Sequence, residues 1–178
     1  GQQRRGKGSF DIPEILAHLR HAAALELPGT QIKIQVQAAA KSNWRHRRFL
    51  RSVQRSEGLN PNVTIEFLPT ELSPEAFVEC LESAHVALLP YWVSRYGKRG
   101  SGMVTDGVLA RKPIVHTRGL SMSKYLRSGN AMAAEGPEQF ANALVAVAKD
   151  WHQFRRGADD AAKLLEEQIQ KATNSIMG

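Results

Sequence analysis

The sequence has a single cysteine, Cys80. No disulfide can form within the chain, and a reducing compartment is the expected setting. Cys80 falls among Phe77, Val78 and Leu81 on a helical stretch, which reads as a buried, inert thiol. No apolar run approaches the length needed to cross a bilayer, and no signal-peptide pattern opens the chain. Low-complexity tracts and internal repeats are lacking, which excludes a collagen-like chain. Neither a G-x-G-x-x-G run nor a Walker A run occurs, so those two phosphate-binding routes are closed. The six histidines form no metal-ligand pattern. His18 and His21 lie three apart on a helical stretch without an acidic or cysteine partner nearby, and read as surface residues. No Ser-His-Asp or Cys-His set can be picked out. Residue 1 is glycine and the first methionine is Met103, so the expectation is an excised piece of something longer.

Acidic residues are in short supply. Lys and Arg number 24 against 17 Asp and Glu, a net charge of +7. Such a balance favours anionic partners: nucleotides, nucleic acid, acidic lipid or polyanionic substrates. What is present otherwise is ordinary. The 178 residues are 42% hydrophobic and 23% charged, enough to bury a core, which excludes a disordered chain or a disulfide mini-protein. No composition shift marks a domain boundary. One domain spanning 1–178 is expected, with a helical tail over about 155–178.

The hydrophobic pattern alternates between two periods. Ile12, Ile15, Leu16, Leu19, Ala22 and Ala23 have helical spacing, with Asp11 as the expected N-cap and Pro28-Gly29 as the stop. Ile32, Ile34 and Val36 alternate with polar residues and predict a strand, as do Val63, Ile65 and Phe67 after the turn signal Asn60-Pro61-Asn62. Asn43 to Glu57 predicts a helix. Ser73 is expected to cap a helix through Ala84, with Pro74 and Glu75 in its first turn. Val86 to Leu89 and Pro113 to Val115 predict short buried strands, and Ala131 to Ala134 a weak one. Further helices are expected over Gly102 to Ala110, Ser121 to Arg127, Pro137 to Trp151 and Asp159 to Ala172. Strands alternating with helices predict an α/β fold, a Rossmann-like doubly wound parallel sheet with helices on both faces. Ligands of such folds sit outside the carboxyl ends of the strands. That points to the loops Gly1 to Ser9, Ala38 to Asn43, Leu68 to Ser73 and Tyr91 to Gly102.

Three of these stretches carry chemistry. The first places Arg4, Arg5 and Lys7 among Gly1, Gly6 and Gly8, just before a helix. Glycines let backbone approach phosphate and the cations neutralise it. The same run also suits a solvated basic tail. The second runs from Leu89-Pro90-Tyr91 through Tyr96 to Lys98-Arg99-Gly100-Ser101-Gly102 and on to Thr105 and Asp106. Gly-Ser-Gly at a helix start offers backbone N–H groups to an anion, and Asp106 could accept hydrogen bonds from ribose hydroxyls. An ordinary glycine-rich turn has the same look. The third is Lys41, Arg45, Arg47, Arg48, Arg51 and Arg55 with Trp44 and Phe49. This suits nucleic acid or anionic lipid, or simply a solvated helix face.

The order of these segments is telling: a basic Lys-Gly loop, the strand Ile32 to Val36, Asn62 to Pro69, Leu72-Ser73, Ala84 to Pro90, and Asp106-Gly107-Val108-Leu109-Ala110-Arg111-Lys112-Pro113-Ile114-Val115. Over about the first 150 residues it resembles the C-terminal, donor-binding domain of a GT-B glycosyltransferase, most of all the large nucleotide-sugar-using class often called family 4. The resemblance implies that Asp106 binds the nucleotide ribose and Lys7 the diphosphate. It implies that the Ser101 backbone lies near donor phosphate or sugar, and that the loop Phe67 to Leu72 meets the base. Two positions depart from the family pattern. Gln2 stands where an arginine usually follows the first glycine, so Arg4 or Arg5 would substitute. Lys98 stands where a glutamate usually holds the donor sugar.

The expected donor-binding set is therefore Lys7, Leu68, Leu72, Tyr91, Arg99, Gly100, Ser101, Gly102, Thr105 and Asp106. Lys7, Arg4, Arg5 and Arg99 would stabilise charge growing on the leaving diphosphate, without a metal. No catalytic residue is assignable beyond these. The resemblance implies a hexosyl-type, metal-independent transferase using a UDP- or GDP-sugar, with no prosthetic group, in polysaccharide or glycoconjugate synthesis. Its acceptor, a glycan, a lipid-linked molecule or a small molecule, would be held by an N-terminal domain absent from this chain, which alone should catalyse nothing. The setting would be cytoplasmic, with peripheral contact at the inner face of the membrane compatible with the basic surface. No nucleic acid is expected as partner. Two alternatives stay open: a non-catalytic nucleotide-binding module, and a basic nucleic-acid or membrane-surface domain.

Overall fold

The computed structural model describes residues 5–8, 11–37, 51, 61–69 and 71–177. The expected helix Asn43 to Glu57 lies outside these residues apart from Arg51, which is exposed, and so does Arg4.

A short 3-10 turn, Arg5–Lys7, leads into α1 (Ile12–Glu26), β1 (Ile32–Gln37) and β2 (Val63–Leu68). Then come α2 (Pro74–Ser83), β3 (Ala87–Leu89), the single turn α3 (Val93–Tyr96), α4 (Gly102–Leu109) and β4 (Ile114–Thr117). A 3-10 turn (Ser123–Leu126), β5 (Ala131–Ala134), α5 (Gly136–Lys149) and α6 (Trp151–Met177) complete the chain.

All strand pairs are parallel. Residues Ile114 and Val115 show how the layers form. Neighbours on a strand point to opposite faces, and both are 0% exposed, so both faces of β4 are covered. On one face Val115 joins Ile15, Leu16 and Leu19 of α1 and Phe140, Val145 and Val147 of α5. On the other, Ile114 joins Leu89 of β3, Val104 and Val108 of α4, and Ala161 and Leu165 of α6. Each fully buried aliphatic side chain contributes about 1.5–3 kcal/mol. The fold is the expected α/β arrangement of parallel strands with helices on both faces.

Four details differ from the sequence expectation. The strands form two sheets, β1–β2 and β3–β4–β5. A cleft of about 610 Å³ lies between β1 and β3 and is lined by both. The short helix expected over 121–127 is a 3-10 turn confined to Ser123–Leu126. The last helix begins at Trp151, well ahead of the expected start at Asp159, and runs unbroken through Gly157. A Cβ at Gly157 would lie 2.5 Å from the Ser128 carbonyl oxygen, so this glycine serves close approach of α6 to the 128–130 backbone. Finally, Asp11 precedes α1 but its carboxylate makes no cap bond, because it accepts from the Trp92 indole Nε1 at 3.4 Å. Ser73 does cap α2, its hydroxyl accepting from the Ala76 N–H at 3.2 Å.

Candidate functional site

The site lies at the carboxyl end of β3, where Leu89, Pro90 and Tyr91 leave the sheet. The basic loop 5–8 docks there. The Trp92 backbone N–H donates to the Gly6 carbonyl at 3.0 Å. Gly8 has φ +70°, and a Cβ on it would run into the Pro90 carbonyl. The loop thus needs glycine twice over, for the left-handed backbone and for the close approach. The Gly8 carbonyl in turn accepts from the Asp11 N–H at 3.0 Å, starting α1.

This docking sets Lys7 beside Tyr91, its Nζ 6.0 Å from the ring centroid, within cation–π range. Tyr91 is buried and packs on Tyr96 with centroids 4.6 Å apart. Burial pushes the Tyr91 phenol up to about 12, opposed by a side-chain hydrogen bond with Ser101. Tyr91 is therefore neutral at physiological pH.

At that start, the Asp106 carboxylate lies back over the first turn, with Oδ2 3.7 Å from the position a Gly102 Cβ would take. Burial raises its pKa. The Ser101 N–H already has an acceptor, the Met122 thioether sulfur at 3.1 Å. The Arg99 carbonyl accepts from the Ser121 hydroxyl at 2.5 Å, leaving the Arg99 side chain exposed. Gly100 and Gly102 are exposed, and Thr105 is half-buried on α4.

The structure brings the expected residues into two adjoining groups. Lys7, Leu68, Leu72 and Tyr91 line the cleft between β1 and β3. Arg99, Gly100, Ser101, Gly102, Thr105 and Asp106 form the loop and first turns of α4, outside the lining of that cleft. The Arg5 backbone belongs to the docked turn. Lys98 is exposed. Sequence reading missed Trp92 and Asp11, which pin the basic loop, and Met122, which covers the Ser101 amide. None carries a local signal, because each acts across a long stretch of chain.

Two further groups have defined chemistry. Cys80 is half-buried rather than fully buried, and its Sγ donates to Gln35 Oε1 at 3.7 Å. Burial raises its pKa, so it is a poor nucleophile. His116, buried on β4, donates from Nδ1 to the Thr117 carbonyl at 2.9 Å, and burial lowers its pKa. Among the described residues no group of His, Cys, Asp and Glu could hold a metal ion, and no helix is long and apolar enough to cross a membrane.

By sequence, no protein-family model and no curated protein matches this chain. By structure, it is similar to sucrose-phosphate synthase from Thermosynechococcus elongatus, with TM-score 0.68 and 15% identity over 99% of this chain and 44% of that one. It is similar to Anabaena Alr3699/HepE, solved in complex with UDP and glucose, with TM-score 0.66 and 13% identity over 98% of this chain and 47% of that one. It is also similar to a UDP-forming alpha,alpha-trehalose-phosphate synthase from Burkholderia xenovorans in complex with glucose-6-phosphate, with TM-score 0.64 and 13% identity over 99% of this chain and 42% of that one. The chain spans less than half the length of each. Likeness at such low identity is a likeness of fold, and the fold is the Rossmann-like half of a GT-B architecture.

Proposed function

We propose that this chain is the donor-binding domain of a metal-independent, hexosyl-type glycosyltransferase, and that it binds a UDP- or GDP-sugar. The docking of Lys7 against Tyr91, next to the Ser101–Asp106 turn, carries the reading. It sets a cation, a helix start and a carboxylate around the carboxyl end of β3, where a nucleoside diphosphate is best held. Lys7 takes the diphosphate, Asp106 the ribose, and the Leu68–Leu72 side of the cleft the base. Arg4, Arg5 and Arg99 add positive charge as the leaving group gains negative charge. Two similar structures support a uridine nucleotide: one is a complex with UDP and one a UDP-forming synthase.

In this reading the acceptor is held by a separate N-terminal domain, and the chain alone binds donor without transferring it. The parent enzyme works in polysaccharide or glycoconjugate synthesis in the cytoplasm, with peripheral membrane contact when the acceptor is lipid-linked. Lys98 favours a second reading, nucleotide binding without transfer, because a cation stands where the resembling family holds its donor sugar with a glutamate.

Titration calorimetry with UDP, GDP and ADP on the wild type, Lys7→Ala and Asp106→Ala tests the reading. Selective binding of one nucleotide, weakened about 10-fold or more in Lys7→Ala, is expected for loss of a charge-assisted hydrogen bond. Equal affinity in all three proteins, or polyanion binding without nucleotide preference, would overturn it.

A further inference from the structure

The strap that follows β4 lies across the glycine-rich turn. Three hydrogen bonds tie it to that turn. The Ser121 N–H donates to the Tyr96 carbonyl at 3.2 Å, and its hydroxyl donates to the Arg99 carbonyl at 2.5 Å. The Ser101 N–H donates to the Met122 sulfur at 3.1 Å, and the same sulfur lies 3.8 Å from where a Gly100 Cβ would be. The strap is anchored at Leu120, 5% exposed in the second core, and Gly119 turns it with φ +85° against Val93.

A thioether is a weak acceptor. An amide at a helix start would normally face water or an anion. Here it faces a soft, uncharged side chain held in place by two hydrogen bonds from Ser121. We propose that Met122 is a resident plug of the anion cradle: its sulfur satisfies the Ser101 amide when the cradle is empty, and a donor diphosphate must displace it. The contact is autoinhibitory, and the strap 118–122 is the element that moves. This rests on the donor-site reading above. It adds that the affinity of the site is set by competition between a thioether and a phosphate oxygen for one N–H. The phosphate wins because its acceptor is charged.

The test uses the full 178-residue chain, with UDP and inorganic pyrophosphate titrated into the wild type, Met122→Leu and Met122→Ala. Leucine keeps the bulk and removes the acceptor. Met122→Leu should bind both probes about 3- to 10-fold more tightly, the equivalent of one net hydrogen bond. Wild-type chain labelled at the methionine methyls provides a readout that needs no variant. The Met122 methyl and the Ser101 amide resonances should shift together as pyrophosphate is added. UDP binding that depends on Lys7 but is unchanged in Met122→Leu, with an unmoved Met122 methyl at saturation, overturns the plug and leaves the donor site standing. No binding of UDP or pyrophosphate to any of the proteins overturns both.

Discussion

The backbone N–H of Trp92 donates to the carbonyl of Gly6 at 3.0 Å, and so joins the two ends of the candidate site. One end is a basic loop at the start of the chain, and the other is the exit of β3. Without that bond and the Gly8–Pro90 contact, Lys7 would be a cation on a solvated tail.

Gly8→Ala tests the docking directly. The residue combines a left-handed backbone with a collision against the Pro90 carbonyl, and strain plus overpacking should cost about 2–4 kcal/mol. Gly29→Ala is the control: its φ is +78° but nothing lies within 4 Å of the new Cβ, so only the backbone cost of about 1 kcal/mol applies. Urea unfolding of both variants should show the larger loss in Gly8→Ala. Comparable losses would mean the loop does not dock as described.

Gly157→Ala should reverse the usual sign. In an open helix interior, alanine stabilises by roughly 0.5–1 kcal/mol over glycine. Here the Cβ would meet the Ser128 oxygen and the Gly129 carbonyl carbon, both at 2.5 Å. Thermal unfolding should show a Tm below wild type, and an increase would contradict the close contact of α6 with 128–130.

Arg111, at the end of α4, has φ +56°, which disfavours any side chain. Its guanidinium reaches Glu166 at 2.9 Å and Asp159 at 4.0 Å on α6. These exposed pairs contribute less than about 1 kcal/mol together after screening. Arg111→Ala keeps the strain and loses the pairs, whereas Arg111→Gly loses the pairs and relieves the strain. Chemical denaturation should therefore rank Arg111→Gly above Arg111→Ala by about 1 kcal/mol.

His116 should give stability a slope with pH. Its folded pKa is lowered by burial, from an ordinary 6.5, so the unfolded chain binds the proton first. Stability from this group is full above pH 6.5 and is lost as pH falls through that value toward the folded pKa. His116→Asn, which can still donate toward the Thr117 carbonyl, should show a shallower fall between pH 7 and 5 in denaturant unfolding. Parallel curves would exclude His116 as the source.

The layers were legible because buried strands leave short apolar runs. Pro113–Val115 and Val86–Leu89 announce β4 and β3, and the spacing Ile12, Ile15, Leu16, Leu19 announces the inner face of α1, all four buried. The residues of the candidate site were legible too, as glycines, cations and a carboxylate near helix starts. Their arrangement was not. The meeting of Lys7 and Tyr91 depends on the Trp92–Gly6 and Gly8–Pro90 contacts, and the covering of Ser101 on Met122, each a contact between residues distant in sequence. Asp11 shows the same limit: its type and position suit a helix cap, but an indole on another element takes its carboxylate.

The long last helix has a mechanical consequence. Its buried residues stop at Leu165, and 166–176 are exposed. Local bonds such as Thr173 Oγ1 to the Ile169 carbonyl at 3.0 Å and Gln170 Nε2 to Asn174 Oδ1 at 2.8 Å accompany these turns. From Gly157 to Ile176 the helix reaches about 28 Å at 1.5 Å per residue. Up to Leu165 that length is packed in the core; a bend of about 10° beyond Leu165 moves the tip by about 3 Å over the remaining ~16 Å of helical rise. A small bend just past the core is thereby magnified at the tip of this helix.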